Sequence, residues 1–135
     1  MQISSADART STKPQPVGPQ ELRGVRLDGP VAFPWAGRLF VIARKHLRGE
    51  GIRKRTALYQ LRGDLERGPL RIVEHGELPS AGDTSYAGVA PLGGSRFLLS
   101  WYSSPLAQDP NRLVGFGGRT DIWTAVIDLS RLPRG

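Results

Sequence analysis

The sequence predicts an all-β protein made of short antiparallel strands, and three observations lead to this prediction. Apolar and polar residues alternate with a period of two in several segments, which is typical of half-buried strands. The chain has 17 Gly and 11 Pro among 135 residues, a composition that favours tight connections between strands. No segment shows sustained helical periodicity with capping residues, so we expect essentially no helix.

The first group of predicted strands follows a polar N-terminal arm. Residues 1–21 are rich in Ser, Thr, Pro and Gln, and we expect them to form a flexible arm. In the clearest strand, Leu39, Val41 and Ala43 face one way while Phe40, Ile42 and Arg44 face the other. The strands predicted in this half are Val31–Phe33, Arg38–Lys45, Arg55–Arg62 and Leu70–Glu74.

The second half of the chain repeats this arrangement. The strands predicted there are Tyr86–Pro91, Arg96–Tyr102 and Asp121–Leu129. Residues 37–42 (GRLFVI) align with residues 95–100 (SRFLLS), which come 58 positions later. Repeats of four short strands are typical of β-propeller blades. The sequence therefore predicts one blade at about 28–78 and most of a second at about 84–130. The alternative is an antiparallel sandwich whose hairpins happen to align.

Two blades cannot close a propeller, because such rings typically contain about four to eight blades. A lone pair of blades would also leave open sheet edges. We therefore expect residues 22–135 to form a partial propeller that is a fragment of a larger one. Otherwise the chain must assemble with copies of itself or with a partner to complete the ring.

Composition and charge exclude several classes of function. The net charge of +7 favours anionic partners, but aromatic residues are few and not interleaved with the basic run, so nucleic acid is not the expected partner. The lack of cysteine excludes disulfides and thiolate chemistry. No spacing of ligand residues or cofactor motif is present, so we expect no metal and no cofactor. Because no signal peptide or membrane span is evident, we expect a cytoplasmic protein without membrane contact.

The candidate site residues lie where predicted strands begin or end. Asp28, Asp83 and Tyr86 are at the starts of inner strands, whereas Arg44 and Tyr102 are at the ends of second strands. In a propeller these positions share one face, and loops on a rigid scaffold commonly carry sites. We therefore expect the five residues to form a polar cup. The structural alternatives are turn formation for the two aspartates and simple packing for Tyr86.

Several segments resemble sialidase-like (BNR-type) β-propeller proteins, in particular their C-terminal blades. The matching segments are LPSAGDTSYAG at 78–88, RFLLSWYSS at 96–104, LDGPVAFPWAGRLFVIAR at 27–44, RTALYQL at 55–61 and DIWTAVIDL at 121–129. The resemblance implies a six-bladed propeller that acts on glycosides or descends from enzymes that do. The Ser-x-Asp-x-Gly-x-x-Trp repeat of many sialidases is not found, and their glutamate partner cannot be assigned.

Sialidases use a tyrosine nucleophile, and the resemblance carries this role to Tyr86. From geometry we add Asp83 as catalytic acid, base or orienting group, and Asp28, Arg44 and Tyr102 as substrate-binding residues. Five-bladed glycoside hydrolases are a competing resemblance, in which Asp28 or Asp83 would be the catalytic acid or base.

The predicted function is that of a propeller portion that binds or hydrolyses a glycoside, with a carbohydrate as ligand. Because blades are missing, we expect the chain alone to be inactive as an enzyme. The alternative is a non-catalytic scaffold that presents Trp101, Tyr102 and the basic hairpin 44–55 to a glycan or a protein.

Overall fold

The computed structural model describes residues 26–47, 53–64, 67–108 and 118–133, and the predicted arm at 1–21 lies outside them. The described residues form seven strands and one short 3₁₀ turn, without any α-helix. The prediction of an all-β protein is therefore confirmed. Within these ranges no helix is long and apolar enough to span a membrane.

The first sheet contains four antiparallel strands in sequence order. They are β1 (Leu27–Trp35), β2 (Arg38–His46), β3 (Lys54–Arg62) and β4 (Arg71–Glu77). The predicted end of the fourth strand at Glu74 was wrong, because the strand continues through Gly76. The register against β3 shifts between Leu58 and Tyr59, which leaves His75 as the extra residue of a β-bulge, and Gly76 is paired with Leu58 instead of ending the strand.

The second sheet contains three antiparallel strands, again in sequence order. They are β5 (Thr84–Gly93), β6 (Arg96–Ser103) and β7 (Asp121–Asp128). The predicted last strand included Leu129, but the chain turns one residue earlier. Asp128 accepts a hydrogen bond from the backbone N–H of Ser130 and so caps a 3₁₀ turn at Leu129–Arg131.

The two sheets pack face to face around an aromatic core. The ring centroids of Phe33 in β1 and Phe97 in β6 are 5.0 Å apart, and Phe33 also stacks on Phe40. Phe40 and Leu99 are completely buried. Trp101 is also buried, and its Nε1 donates a 2.9 Å hydrogen bond to the Pro79 carbonyl, which fixes the segment between the sheets. The core therefore joins residues that are distant in the sequence.

The opposite face of the first sheet carries a second apolar cluster. Val41, Ala43 and Tyr59 belong to it and are 5%, 1% and 0% exposed, respectively. The two faces of β2 thus separate Leu39, Val41 and Ala43 from Phe40 and Ile42, as the alternation predicted.

The backbone of β5 lies closest to the first sheet, beside β1, β2 and β3. In the antiparallel β1–β2 pair the start of β1 lies opposite the end of β2. This arrangement brings the start of β5 close to both strand ends, and it is at this junction that the polar residues of the two sheets meet.

Candidate functional site

A group of polar side chains fills the junction between the sheets, and we call it the junction cluster. It contains all five site residues proposed from the sequence: Asp28, Arg44, Asp83, Tyr86 and Tyr102. Asp28 is paired in register with Arg44 in the first sheet. Asp83 directly precedes β5, and Tyr102 is near the end of β6. The structure thus brings the five residues together, while their functional roles stay predictions.

Arg44 connects the two sheets. Its Nε donates to Asp28 Oδ1 within the first sheet. Its Nη1 lies 3.5 Å from Asp83 Oδ1 and 3.3 Å from the carbonyl oxygen of Thr84. The planar guanidinium suits such divided contacts. Since the side chain is only 13% exposed, an anionic ligand would have to compete with two carboxylates for this arginine.

Asp28 is held in its charged form. Its Oδ2 lies 2.7 Å from Nε2 of His46 and 3.9 Å from Nη2 of Arg26. Partial burial acts to raise the pKa of Asp28, but the hydrogen bonds with Arg44 and His46 outweigh it and lower the pKa to about 2. Asp28 is therefore ionised near neutral pH and cannot donate a proton as a general acid there.

This lowered pKa predicts acid sensitivity. Because the pKa of Asp28 is about 2 in the folded state and 3.8 is its ordinary value, the stabilisation is complete above about pH 5 and is lost as the pH falls towards 2. We expect Asp28 to contribute about 1–2 kcal/mol, after allowance for solvent screening. Urea unfolding at several pH values measures this dependence. Asp28→Asn should remove the contribution of Asp28 to the pH dependence of the free energy of unfolding. If the variant loses stability in acid as the wild type does, the lowered pKa of Asp28 is not the cause.

Asp83 accepts contacts from three side chains. Tyr102 donates its hydroxyl to Oδ2 at 3.1 Å, and Lys54 Nζ lies 3.6 Å from Oδ1, the oxygen that also faces Arg44. Burial and the charge of Asp83 raise the pKa of Tyr102 to about 12. Tyr102 therefore stays protonated and keeps donating to Asp83. A carboxylate with these partners is well placed to orient neighbouring groups.

Two residues of the cluster were missed by sequence reasoning. Neither His46 nor Lys54 was among the site residues proposed from the sequence. In the structure they are paired in register at the end of the β2–β3 hairpin, and Lys54 is 3% exposed. A signal was present in the sequence, since His46 follows Arg44 by two residues and so lies on the same face of the strand.

Buried hydroxyls link the sheets beneath the charged groups. Thr56 and Thr84 are both fully buried, and their Oγ1 atoms are 2.9 Å apart. Thr84 donates its hydroxyl hydrogen to the carbonyl oxygen of Tyr102 at 2.7 Å. Because a threonine hydroxyl has one hydrogen, Thr56 must be the donor between the two threonines. This chain of hydrogen bonds fixes the start of β5 against both β3 and β6.

Tyr86 is the most exposed member of the cluster, at 72% of its surface. Its ring stacks on that of Tyr102 with centroids 5.9 Å apart, and the guanidinium carbon of Arg44 lies 5.8 Å from its centroid. The φ angles of Ser85 and Tyr86 are 126° and 46°. Such angles are costly for residues other than glycine, and strained residues of this kind often occur at ligand sites.

The surroundings of this strained segment complete the cluster. Ser85 is 1% exposed, and its hydroxyl has no hydrogen-bond partner among the residues that the structure describes. Gly29 lies beneath the segment, where a Cβ atom would be 3.5 Å from Ser85 Oγ and 3.9 Å from the Tyr86 ring. The backbone at Gly29, with a φ of 57°, also favours glycine.

The described part of the chain contains no group of three or more His, Asp or Glu side chains that could hold a metal ion. In comparisons with known proteins, the chain matches no family model, no curated protein and no solved structure. The junction cluster must therefore be interpreted from its own geometry. It defines an all-β protein of two sheets with a charge-paired polar site and an exposed aromatic pair beside it.

Proposed function

We propose that this protein is a carbohydrate-binding protein in which the stacked rings of Tyr86 and Tyr102 hold a sugar. The observation that carries the proposal is the exposed Tyr86 ring, presented by a strained backbone and backed by Tyr102. An aromatic face beside a few fixed polar groups is the common composition of small-ligand sites. The charged groups beneath it are Asp28, Asp83 and Arg44, which are paired with one another.

The pairing of charges removes the advantage that an acidic sugar would have over a neutral one. Arg44 already contacts Asp28 and Asp83, and Lys54 also faces Asp83. An incoming carboxylate would therefore meet cations that already have anionic partners, so its charge adds little to binding. We propose that Arg44 positions the cluster, and that the aromatic pair supplies most of the contact with the ligand.

The two sheets support a propeller-like arrangement as part of this proposal. The first has four antiparallel strands, the second has three, and the contact between them runs through β5. The propeller, and the sialidase-like family with it, belongs to the proposal.

The proposal predicts that Tyr86→Ala weakens sugar binding about 5- to 10-fold, because the lost stacking is worth about 1–1.5 kcal/mol. The probes are lactose and sialyllactose, titrated by calorimetry or by ligand-observed NMR. Both should bind wild-type protein with affinities within about 3-fold of each other, since the cations are already paired. Leu106→Ala, which changes an exposed residue outside the cluster, is the control. Equal binding by Tyr86→Ala and the wild type would contradict the proposal.

Hydrolysis is a second candidate function, favoured by the accessible Tyr86 side chain next to Arg44. A tyrosine nucleophile would require its hydroxyl, whereas a stacking platform requires only the ring. Tyr86→Phe separates the two roles, because it keeps the ring and removes the hydroxyl. We expect no turnover of fluorogenic glycosides by the wild type and unchanged lactose binding by Tyr86→Phe. Turnover that disappears in Tyr86→Phe would establish the nucleophile instead.

A further inference from the structure

Three arginines lie side by side at the end of the first sheet that is far from the junction cluster. Arg62 in β3 is paired in register with Arg71 in β4. On the other side of β3, Leu61 is paired with Leu39, so Arg62 and Arg38 occupy adjacent positions of β3 and β2. We call Arg38, Arg62 and Arg71 the arginine row. Because neighbouring strands are about 4.8 Å apart, the three side chains start within about 10 Å of one another.

The arginine row lies at the rim of the core between the sheets. The guanidinium carbon of Arg38 is 4.7 Å from the centroid of the Trp35 ring and 5.6 Å from that of Phe40, which belongs to this core. Leu58 belongs to the same core, and Arg62 follows it by four residues, on the same face of β3. Arg38 and Arg62 are half-buried. Water therefore screens their charges less than it screens those of a fully exposed arginine.

The arginine row has no carboxylate partner among the residues that the structure describes. Other cations of the first sheet are paired, since Arg44 contacts Asp28 and Lys45 Nζ lies 2.7 Å from Glu74. Arg62 Nε is buried and has no hydrogen-bond partner in the described part of the chain. Like charges at adjacent positions of a sheet destabilise it, and a buried donor without an acceptor adds to that cost. An anion bound between the arginines would remove both costs.

Gln60 and His75 place further hydrogen-bond donors beside the row. Gln60 Oε1 lies 3.0 Å from His75 Nε2, and because an amide oxygen can only accept, His75 is the donor. The amide NH₂ of Gln60 can then donate to a ligand. Burial and the positive charges of Arg62 and Arg38 lower the pKa of His75, because both arginines disfavour a further cation beside them. Among the described residues, this site combines several donors with an unbalanced positive charge.

A phosphate group fits this set of donors. A guanidinium group can donate two parallel hydrogen bonds to a phosphate. A phosphate also has more acceptor oxygens and more negative charge than a carboxylate, which has two oxygens and one charge. Three neighbouring cations therefore suit a phosphate better. We propose that the arginine row, together with Gln60, binds a phosphate group that is either free or carried by a small ester.

This site is separate from the proposed sugar site. Arg38 and Arg44 are six residues apart along β2, which corresponds to about 20 Å. The net charge of +7 favours the approach of an anion to either place, but Arg44 already contacts two carboxylates. The binding of phosphate therefore does not depend on the binding of sugar.

Calorimetric titration at neutral pH, in phosphate-free buffer with about 0.1 M chloride to screen weak surface attraction, tests the site. Inorganic phosphate and glycerol 3-phosphate should bind the wild type with dissociation constants of about 1 mM, and acetate at least about 10-fold more weakly. The tighter of the two phosphates identifies the source, and either order supports the site. Arg62→Gln should weaken phosphate binding at least about 10-fold, because it removes the central guanidinium. Arg119→Gln, which removes the same charge from a side chain that is 78% exposed, should bind like the wild type.

Stability measurements separate a ligand site from a structural role. Without phosphate, Arg62→Gln should be at least as stable as the wild type, because it reduces the repulsion within the row. Phosphate should raise the thermal midpoint of the wild type and leave that of the variant unchanged. If Arg62→Gln does not fold, Arg71→Gln takes its place, since Arg71 is exposed in β4. It should weaken phosphate binding about 3-fold or more.

Four results would overturn the phosphate site. They are no binding of phosphate by the wild type at about 10 mM, equal binding of acetate and phosphate, a folded row variant that binds like the wild type, and equal losses in Arg62→Gln and Arg119→Gln. The last result would assign the affinity to net charge alone. Lactose binding by Arg62→Gln should be unchanged, so failure of the phosphate site and failure of carbohydrate binding are separate outcomes.

Discussion

Replacing Arg44 by methionine is expected to lower the free energy of unfolding by about 2–3 kcal/mol. Arg44 is the cation that Asp28 and Asp83 share across the two sheets. Removal of one partner from a largely buried ion pair typically costs about 3–5 kcal/mol, because it leaves an uncompensated charge. We expect a value below that range because the two carboxylates remain 22% and 18% exposed and retain other partners. Urea unfolding at neutral pH measures the change.

Two further variants make this prediction specific. Arg71→Met removes an exposed arginine from β4, and it should change the free energy of unfolding by less than about 0.5 kcal/mol. The double variant with Arg44→Met and Asp28→Asn should be more stable than Arg44→Met alone, because the unpaired carboxylate is removed with its partner. Arg44→Met with the stability of the wild type would show that the junction cluster does not connect the sheets.

Phe97→Ala is expected to destabilise the protein by about 3–5 kcal/mol, since it removes a buried ring from the core between the sheets. Phe97 is 6% exposed and packs against Phe33 with ring centroids 5.0 Å apart. The loss is large compared with the total stability of about 5–15 kcal/mol that is usual for a domain. Phe97→Leu, which leaves a smaller cavity, gives a measurable folded variant if the alanine variant is unfolded.

A double-mutant cycle between Phe33→Leu and Phe97→Leu tests whether the two sheets unfold as one unit. The coupling free energy should be about 0.5–1.5 kcal/mol, because the rings contact each other directly. Leu92→Ala, which shortens an exposed side chain at the far end of β5, should show no coupling with Phe33→Leu. Additive effects of the two phenylalanine substitutions would place the sheets in separate cooperative units.

The strand pattern was readable from the sequence because its physical signal is local. In β2 the alternation of Leu39, Val41 and Ala43 with Phe40 and Ile42 separates two buried clusters. A strand buried on both faces still keeps its period of two, so each face could be assigned. The contact between Asp28 and Arg44 could also be predicted, because a hairpin places the start of one strand opposite the end of the next.

The contacts between the sheets and the irregular backbone positions depend on interactions that local sequence patterns do not encode. Arg44 and Asp83 are 39 residues apart and meet because the two sheets pack against each other, and the alternation of residues along a strand does not reveal that packing. The sequence suggested Arg44 as a substrate-binding residue, whereas in the structure two carboxylates of the chain itself contact it. The left-handed backbone at Ser85 and Tyr86 was also unpredictable, because neither is a residue type that favours it. The extension of β4 through Gly76 was also missed, because it depends on a bulge that forms only when β4 pairs with β3.

The central functional claim is that a sugar binds on the exposed aromatic pair of the junction cluster. The most direct measurement is a titration of ¹⁵N-labelled protein with lactose, followed through the backbone amide shifts. We predict saturable shifts confined to residues 83–86, 102 and their neighbours. In Tyr86→Ala they should require about 5- to 10-fold more lactose, whereas Leu106→Ala should leave the titration unchanged. Shifts confined to the opposite end of the second sheet, or no shift at about 20 mM lactose, which would mean a binding free energy weaker than about 2 kcal/mol, would contradict this claim.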